Sequence, residues 1–241
     1  MDRLGYTAMT AASRSMAALD VRANNLANVN TPGFRADLEH ATAVDVSGAG
    51  YDSRHLARIE GSGVDMSAGT LMATGRDLDV AIQGQGLLAV QSGNGEAYTR
   101  QGNLEIDADR QLMINGRAVL GEGGPIVLPA TNHIEIAADG TVLVLPEGTQ
   151  EMQVIDRLKL VKPEPGALRK NEVGLLVGRD GGPLEPSEEV QVRGGYLEGS
   201  NVSPIEEMVA TLQINRDFEM QMKLFKAADE MAANGNRLLR E

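Results

Sequence analysis

Cysteine is absent from the 241 residues, which excludes disulfides and thiolate chemistry but leaves the redox compartment open. Tryptophan is absent as well, and aromatic residues make up only 3% of the chain. All three phenylalanines (Phe34, Phe218 and Phe225) fall in the two terminal segments. The core between them must therefore be built from Val, Ile and Leu, a β-leaning inventory. No run approaches the roughly 18 apolar residues that a membrane span requires, so none is expected. Met1–Ala18 lacks a basic stretch followed by an unbroken apolar run, so a cleaved secretory signal of the usual kind is not expected either. Such a chain stays in the cytoplasm or leaves by a route that does not cleave its N-terminus. His40, His55 and His133 are dispersed without an i, i+4 partner, so no metal and no cofactor is expected.

Positive charge is scarce where it would be needed for nucleic acid. Residues 1–36 carry a net +2, residues 37–203 a net −12 and residues 204–241 a net −2. An acidic middle repels phosphate backbones, which disfavours nucleic acid as a partner. The ends are nearly neutral, as surfaces that pack against copies of themselves would be.

The stretch from Ser203 to Leu239 is the most strongly patterned. Ser203-Pro204-Ile205-Glu206 reads as a helix start, with a serine cap, proline at the first helical position and a glutamate placed for a capping box. No proline follows and the first glycine is Gly235, so a helix of roughly 30 residues is allowed. Ile205, Met208, Val209 and Leu212 share one face, whereas Ile214, Phe218, Met222, Phe225, Ala228 and Ala232 point nearly opposite. Two apolar faces in succession suit either a helix crossing its own core or a helix gripped by other chains; the second reading is preferred. Near the N-terminus, Met9, Ala12, Met16, Leu19, Ala23 and Leu26 recur at the a/d spacing of a coiled-coil seam. That helix is expected to end in Asn24-Asn25-Leu26-Ala27-Asn28-Val29-Asn30, because asparagine competes for backbone groups. Thr31-Pro32-Gly33 then supplies a turn, and Phe34 an apolar anchor.

From Arg35 to about Ser67 periodicity is weak, and an extended arm or linker is expected. From Gly69 to Glu198 short Val/Ile/Leu-rich runs alternate with Asn94-Gly95, Asn115-Gly116 and Asp139-Gly140, the pattern of a hairpin-rich sandwich or partly closed barrel. Gly84-Gln85-Gly86-Leu87-Leu88-Ala89 fits a dinucleotide fingerprint, but a strand-like run follows where a helix is required. Asp107-Ala108-Asp109 opens like a calcium loop and then lacks its glycine and glutamate. Glu188-Glu189 and Glu206-Glu207 read as solvated surface. No nucleophile elbow is present, and no catalytic residue is expected.

Asn24 through Phe34 resembles the N-terminal signature of the bacterial flagellar rod and hook proteins. Thr74-Gly75-x-x-Leu78-Asp79-x-Ala81-Ile82-x-Gly84-x-Gly86 resembles the start of that family's β domain, and Ala97-Tyr98-Thr99-Arg100-x-Gly102-Asn103 its next hairpin. Asp77 stands where proline is common, and Leu87-Leu88 where an aromatic pair is common. Gly195 to Val202 resembles the C-terminal motif. Phe218 to Lys223 and Arg157 to Lys162 are most similar to proximal-rod members, with distal-rod and hook proteins as the alternative and an enzyme built on the β domain as a more remote one.

The resemblance implies a mixed α and β fold. Long N- and C-terminal helices would pair as a coiled-coil-like core around an inserted, mostly-β middle domain. The expected divisions are residues 1–36, an arm at 37–68, a β-rich domain at 69–198 and a C-terminal helix at 199–241. It implies a structural subunit of the flagellar rod, the periplasm-crossing shaft that transmits torque. Its partners would be copies of itself and other rod proteins, with the flagellar type III export apparatus during secretion. The expected subunit contacts are Met9, Met16, Leu19, Asn25, Leu26, Asn28, Pro32, Gly33 and Phe34 at one end, and Ile205, Met208, Leu212, Phe218, Met222 and Phe225 at the other. Gly75, Gly84, Gly86 and Gly102 are the expected turn glycines of the β domain.

Overall fold

The structure is a computed structural model that describes residues 2–45, 55–93, 95–164 and 166–238. The chain divides into two compact units. One comprises residues 1–27, 37–62 and 203–241, the other residues 28–36 and 63–202.

The second unit is all β. Its largest sheet has five strands, ordered Leu160–Val161, Leu87–Ser92, Gly95–Thr99, Leu176–Gly178 and Leu168–Lys170. A three-stranded sheet joins Thr131–Ile136, Thr141–Pro146 and Gln153–Arg157. Val80–Gln83 pairs with Gln191–Gly194, and Leu71–Ala73 with Tyr196–Glu198, both antiparallel. Strands late in the chain therefore complete sheets that begin more than a hundred residues earlier. Asn115 and Gly116 both adopt positive φ in the tight turn between Leu112–Ile114 and Arg117–Ala118, as a primed hairpin turn requires.

Leu87-Leu88-Ala89-Val90 is buried along its whole length because both faces of the strand are covered. Leu88 and Val90 enter a core with Val80, Ile82, Leu104, Val142 and Val192. Leu87 and Ala89 enter a second one with Tyr98, Val161 and Leu176. A period of two sends neighbours to opposite faces, so a continuous apolar run signals cover on both sides. With no tryptophan available, aliphatic side chains do nearly all of this filling.

The first unit holds helix α1 (Asp2–Ala27), the strands Asp37–Asp45 and His55–Val64 as a two-stranded sheet, and helix α2 (Pro204–Leu238). His55–Val64 continues across the boundary into the second unit at Gly63. Pro204 stands at the first helical position as expected, with Ser203 as the cap; α2 then runs through Gly235.

The expected fold class is corrected here. The protein is mostly β, and its helices do not build a coiled-coil-like core. The seam residues Met9 and Met16 are 61% and 59% exposed, while the buried positions on α1 among the described residues are Ser15 and Asn25. The two helices meet through polar groups: Ser15 Oγ donates to Gln221 Oε1 at 3.4 Å, and Arg22 and Asn25 bind Glu207. Ser15 and Met16 are adjacent, so the buried line lies about 100° around the helix from the apolar one. The heptad spacing marked a stripe whose methionines face outward and whose Leu19 and Leu26 are half-buried. The buried apolar clusters lie in the β unit instead.

Gly102 lies where the backbone of Val80 passes, and a Cβ there would overlap the Val80 carbonyl. Gly102→Ala should lower stability by about 1–3 kcal/mol, the range for overpacking, as measured by urea unfolding. An unchanged midpoint would mean that the two backbones are farther apart than described.

Candidate assembly surface and a buried charge node

The Asn-rich signature splits between the two units. In the first unit Asn25 is wholly buried. Its Nδ2 donates to Glu207 Oε1 and to the Asp37 carbonyl, each at 3.1 Å, and its Oδ1 accepts from the Asp37 N–H at 2.8 Å. Arg22 Nη1 donates to both oxygens of Glu207 at 3.2 and 3.1 Å. Glu207 is therefore a buried partner of α1 and not the solvated residue expected from the Glu206-Glu207 pair.

In the second unit the signature ends in a turn. Phe34 N–H donates to the Thr31 carbonyl at 3.2 Å, with Pro32 presetting φ and Gly33 at φ 68°. Gly33 is required twice over, since a Cβ would also overlap the Arg100 backbone. Its N–H donates to the Glu198 carbonyl at 2.7 Å.

The turn delivers Arg35 to a buried charge node. Arg35 Nη2 bonds to Glu198 Oε1. Arg100 Nε donates to Glu198 Oε2 at 2.8 Å, and Gly69 N–H to Oε1 at 2.8 Å. All three charged side chains are essentially inaccessible to water. Arg100 also donates to the carbonyls of Gly84, Gly86 and Ile82, so the glycine pair of the fingerprint-like stretch is held as a guanidinium cradle. A strand, Leu87–Ser92, follows those glycines where a dinucleotide site needs a helix. Burial pulls the Arg100 guanidinium below its ordinary pKa, with the like charge of Arg35 adding to the effect, while Glu198 opposes both.

Asn201 closes the same region. Its Oδ1 accepts from Ala36 N–H at 2.8 Å, and its Nδ2 donates to the Asp65 and Ser67 carbonyls at 3.0 and 3.2 Å. Lys170 lies over the Phe34 ring at 4.1 Å and donates to the Arg35 carbonyl at 2.7 Å. Nothing in the spacing of Arg35, Arg100 and Glu198 announced this node. The only available signal was that each sits in or beside a stretch carrying the family resemblance.

The exposed residues lie elsewhere. On α2, Ile205, Met208 and Leu212 are exposed, with Val209 beside them on the same outward face. Met222 and Phe225 are also exposed, whereas Phe218 is half-buried. On α1, Met9 and Met16 are exposed and Leu19 and Leu26 half-buried. In the β unit Asn28, Pro32 and Phe34 are half-buried and Gly33 buried. Gly75 and Gly84 take positive φ in open turns, while Gly86 packs against Val190, where a Cβ would collide with its side chain. Among the described residues no group of acidic or histidine side chains is arranged to hold a metal ion.

An apolar helix face left uncovered in a single chain is the mark of a protein made to associate, and the relatives of this chain agree. Residues 6–35 match the family model described as flagella basal body rod protein. Residues 81–144 match the flagellar hook protein FlgE/F/G D1 domain, and residues 193–238 the flagellar basal body rod FlgEFG protein C-terminal. The chain is 43% identical to the flagellar basal-body rod protein FlgF of Salmonella typhimurium, over 99% of both chains. It is 41% identical to FlgF of Escherichia coli, again over 99% of both, and 31% identical to the rod protein FlgG of Borreliella burgdorferi over the full length of each. The chain belongs to the flagellar basal-body rod protein family. It is a structural subunit of the basal-body rod of the kind represented by these FlgF proteins.

Replacing Glu198 with Gln leaves two buried guanidiniums without a counter-charge, and should cost about 3–5 kcal/mol in urea unfolding. A loss below 1 kcal/mol would mean that the backbone carbonyls suffice. Tyr98 supplies a pH test, because burial first, and then its bond to Glu96, push its hydroxyl up to about 12. The unfolded chain releases that proton near 10, so stability is complete below pH 10 and falls as pH rises from 10 to 12. Ultraviolet titration should find a tyrosine that ionises only near pH 12. Absence of such a late-ionising tyrosine would contradict the burial of Tyr98.

Proposed function

We propose that the chain is a proximal-rod subunit that assembles helically with copies of itself and related rod proteins, forming the part of the drive shaft that crosses the periplasm. The observation that carries this reading is the outward face of α2. Ile205 is 74% exposed, Met208 54%, Val209 57% and Leu212 59%, on a helix whose opposite side already holds Glu207 against α1. A surface of this kind loses free energy when covered, at roughly 25 cal/mol per Å² of apolar area. Met9, Met16, Met222 and Phe225 extend the set of candidate contacts. Copies related by rotation plus translation meet through unlike patches, which gives an open-ended filament and not a closed ring.

The work of the subunit is mechanical and not catalytic: a rigid, aliphatic β unit resists torsion because protein interiors are dense and hard to compress. Delivery through the flagellar export apparatus is part of this reading. The proximal position is favoured over the distal one by the higher identity to FlgF than to FlgG proteins.

The test is Met208→Asp combined with Leu212→Asp, expressed in a strain lacking its own copy. The purified variant should keep the unfolding midpoint of the parent, since both side chains face water, while cells fail to swim and rods fail to extend. Normal swimming would remove this face from the assembly.

A further inference from the structure

A cavity of about 100 Å³ opens in the β unit beside Phe34, with Gly33, Arg35, Arg100, Asn115 and Lys170 among its lining residues. Three of these are cations, and no carboxylate lines the cavity. Behind its wall, Glu198 is the only acid bonded to either guanidinium among the described residues, so two buried positive charges face one negative charge. Arg35 Nε is buried without a hydrogen-bond partner. An anion in the cavity would offset the excess positive charge behind its wall. The volume is large enough to admit a carboxymethyl group.

We propose that this cavity receives a carboxylate, the Asp or Glu side chain of a neighbouring rod subunit; the proposal rests on the assembly reading above. Charge complementarity favours that source. Residues 37–203 carry a net −12, and Asp180, Glu185 and Glu188 are exposed there, so a neighbour built from the same kind of chain offers more carboxylates than cations. Glu172 stands exposed two residues from Lys170 and disfavours a multiply charged anion, which selects a single carboxylate over phosphate. Lys170 guards the rim, held over the Phe34 ring and on the Arg35 carbonyl.

The experiment uses the full-length chain with N-acetyl-aspartate amide as the probe, inorganic phosphate as the comparison, and the backbone amide resonances of Gly33, Gln101 and Gly174 as the readout. The aspartate probe should shift all three saturably. Lys170→Glu should weaken binding about tenfold or more, as expected for loss of a charged hydrogen-bonding group. Asn115→Asp, at an exposed turn position, repeats the test if Lys170→Glu unfolds the cavity. No saturable shift, or tighter binding of phosphate, would overturn the site. In assembled rods, a photo-crosslinker at Asn115 should capture an Asp- or Glu-containing segment of an adjacent subunit. Binding of the free probe without any such adduct would overturn the neighbour as its source. Swimming cells without the adduct would remove this contact and leave the assembly reading intact, whereas loss of rod extension through α2 tests that reading separately.

Discussion

Two arginines cannot be buried side by side without something between them, and in this chain that something is Glu198. The carboxylate joins Arg35 at the end of the N-terminal signature, Arg100 on the central hairpin and Gly69 ahead of the first strand of the β unit. It lies on the strand that the C-terminal motif contributes. Removing it would strand two charges in a medium that solvates them poorly, a penalty comparable to a large part of the stability of an ordinary domain. The β unit is thus finished by residues from its two ends. Neither Gln191–Gly194 nor Tyr196–Glu198 has a sheet partner nearby in sequence, since their partners are Val80–Gln83 and Leu71–Ala73.

The helical unit follows a different logic. Apart from Ala228, what it buries among the described residues is polar: Asn25 and Glu207 satisfy each other, and Arg22 neutralises the carboxylate. What it exposes is apolar, including Met9, Met16, Ile205, Met208 and Leu212. Polar contacts between helices set their register precisely because unmatched partners are costly, while the methionine-rich exterior can adapt to more than one neighbour. A rod subunit needs both properties, a fixed internal geometry and a surface that still has free energy to release.

The legible parts of the sequence were those governed by local rules. The helix start at Ser203-Pro204, the turn at Thr31-Pro32-Gly33 and the primed turn at Asn115-Gly116 follow from single-residue preferences, and the structure has each of them. The apolar runs around Leu87–Val90 and Leu112–Ile114 marked strands for the same reason. Short strands such as Leu168–Lys170 and Leu176–Gly178 escaped notice because one or two apolar residues carry no period. The helix pairing was misjudged because apolar spacing was equated with burial, whereas Ser15, Asn25 and Glu207 occupy the inner line. The charge node was illegible in principle: Arg35, Arg100 and Glu198 are far apart in sequence, and only the assembled sheets bring them within hydrogen-bonding distance.

On this account the β unit is complete in a single chain, and α1 and α2 reach their full stability only when other subunits cover them. Native-state hydrogen exchange on the isolated, full-length protein tests this directly. The account predicts the slowest amides in Val80–Gln83, Leu87–Ser92 and Gln191–Gly194, with the amides of α2 exchanging orders of magnitude faster. Amides in α2 as slow as those of the β strands would contradict it.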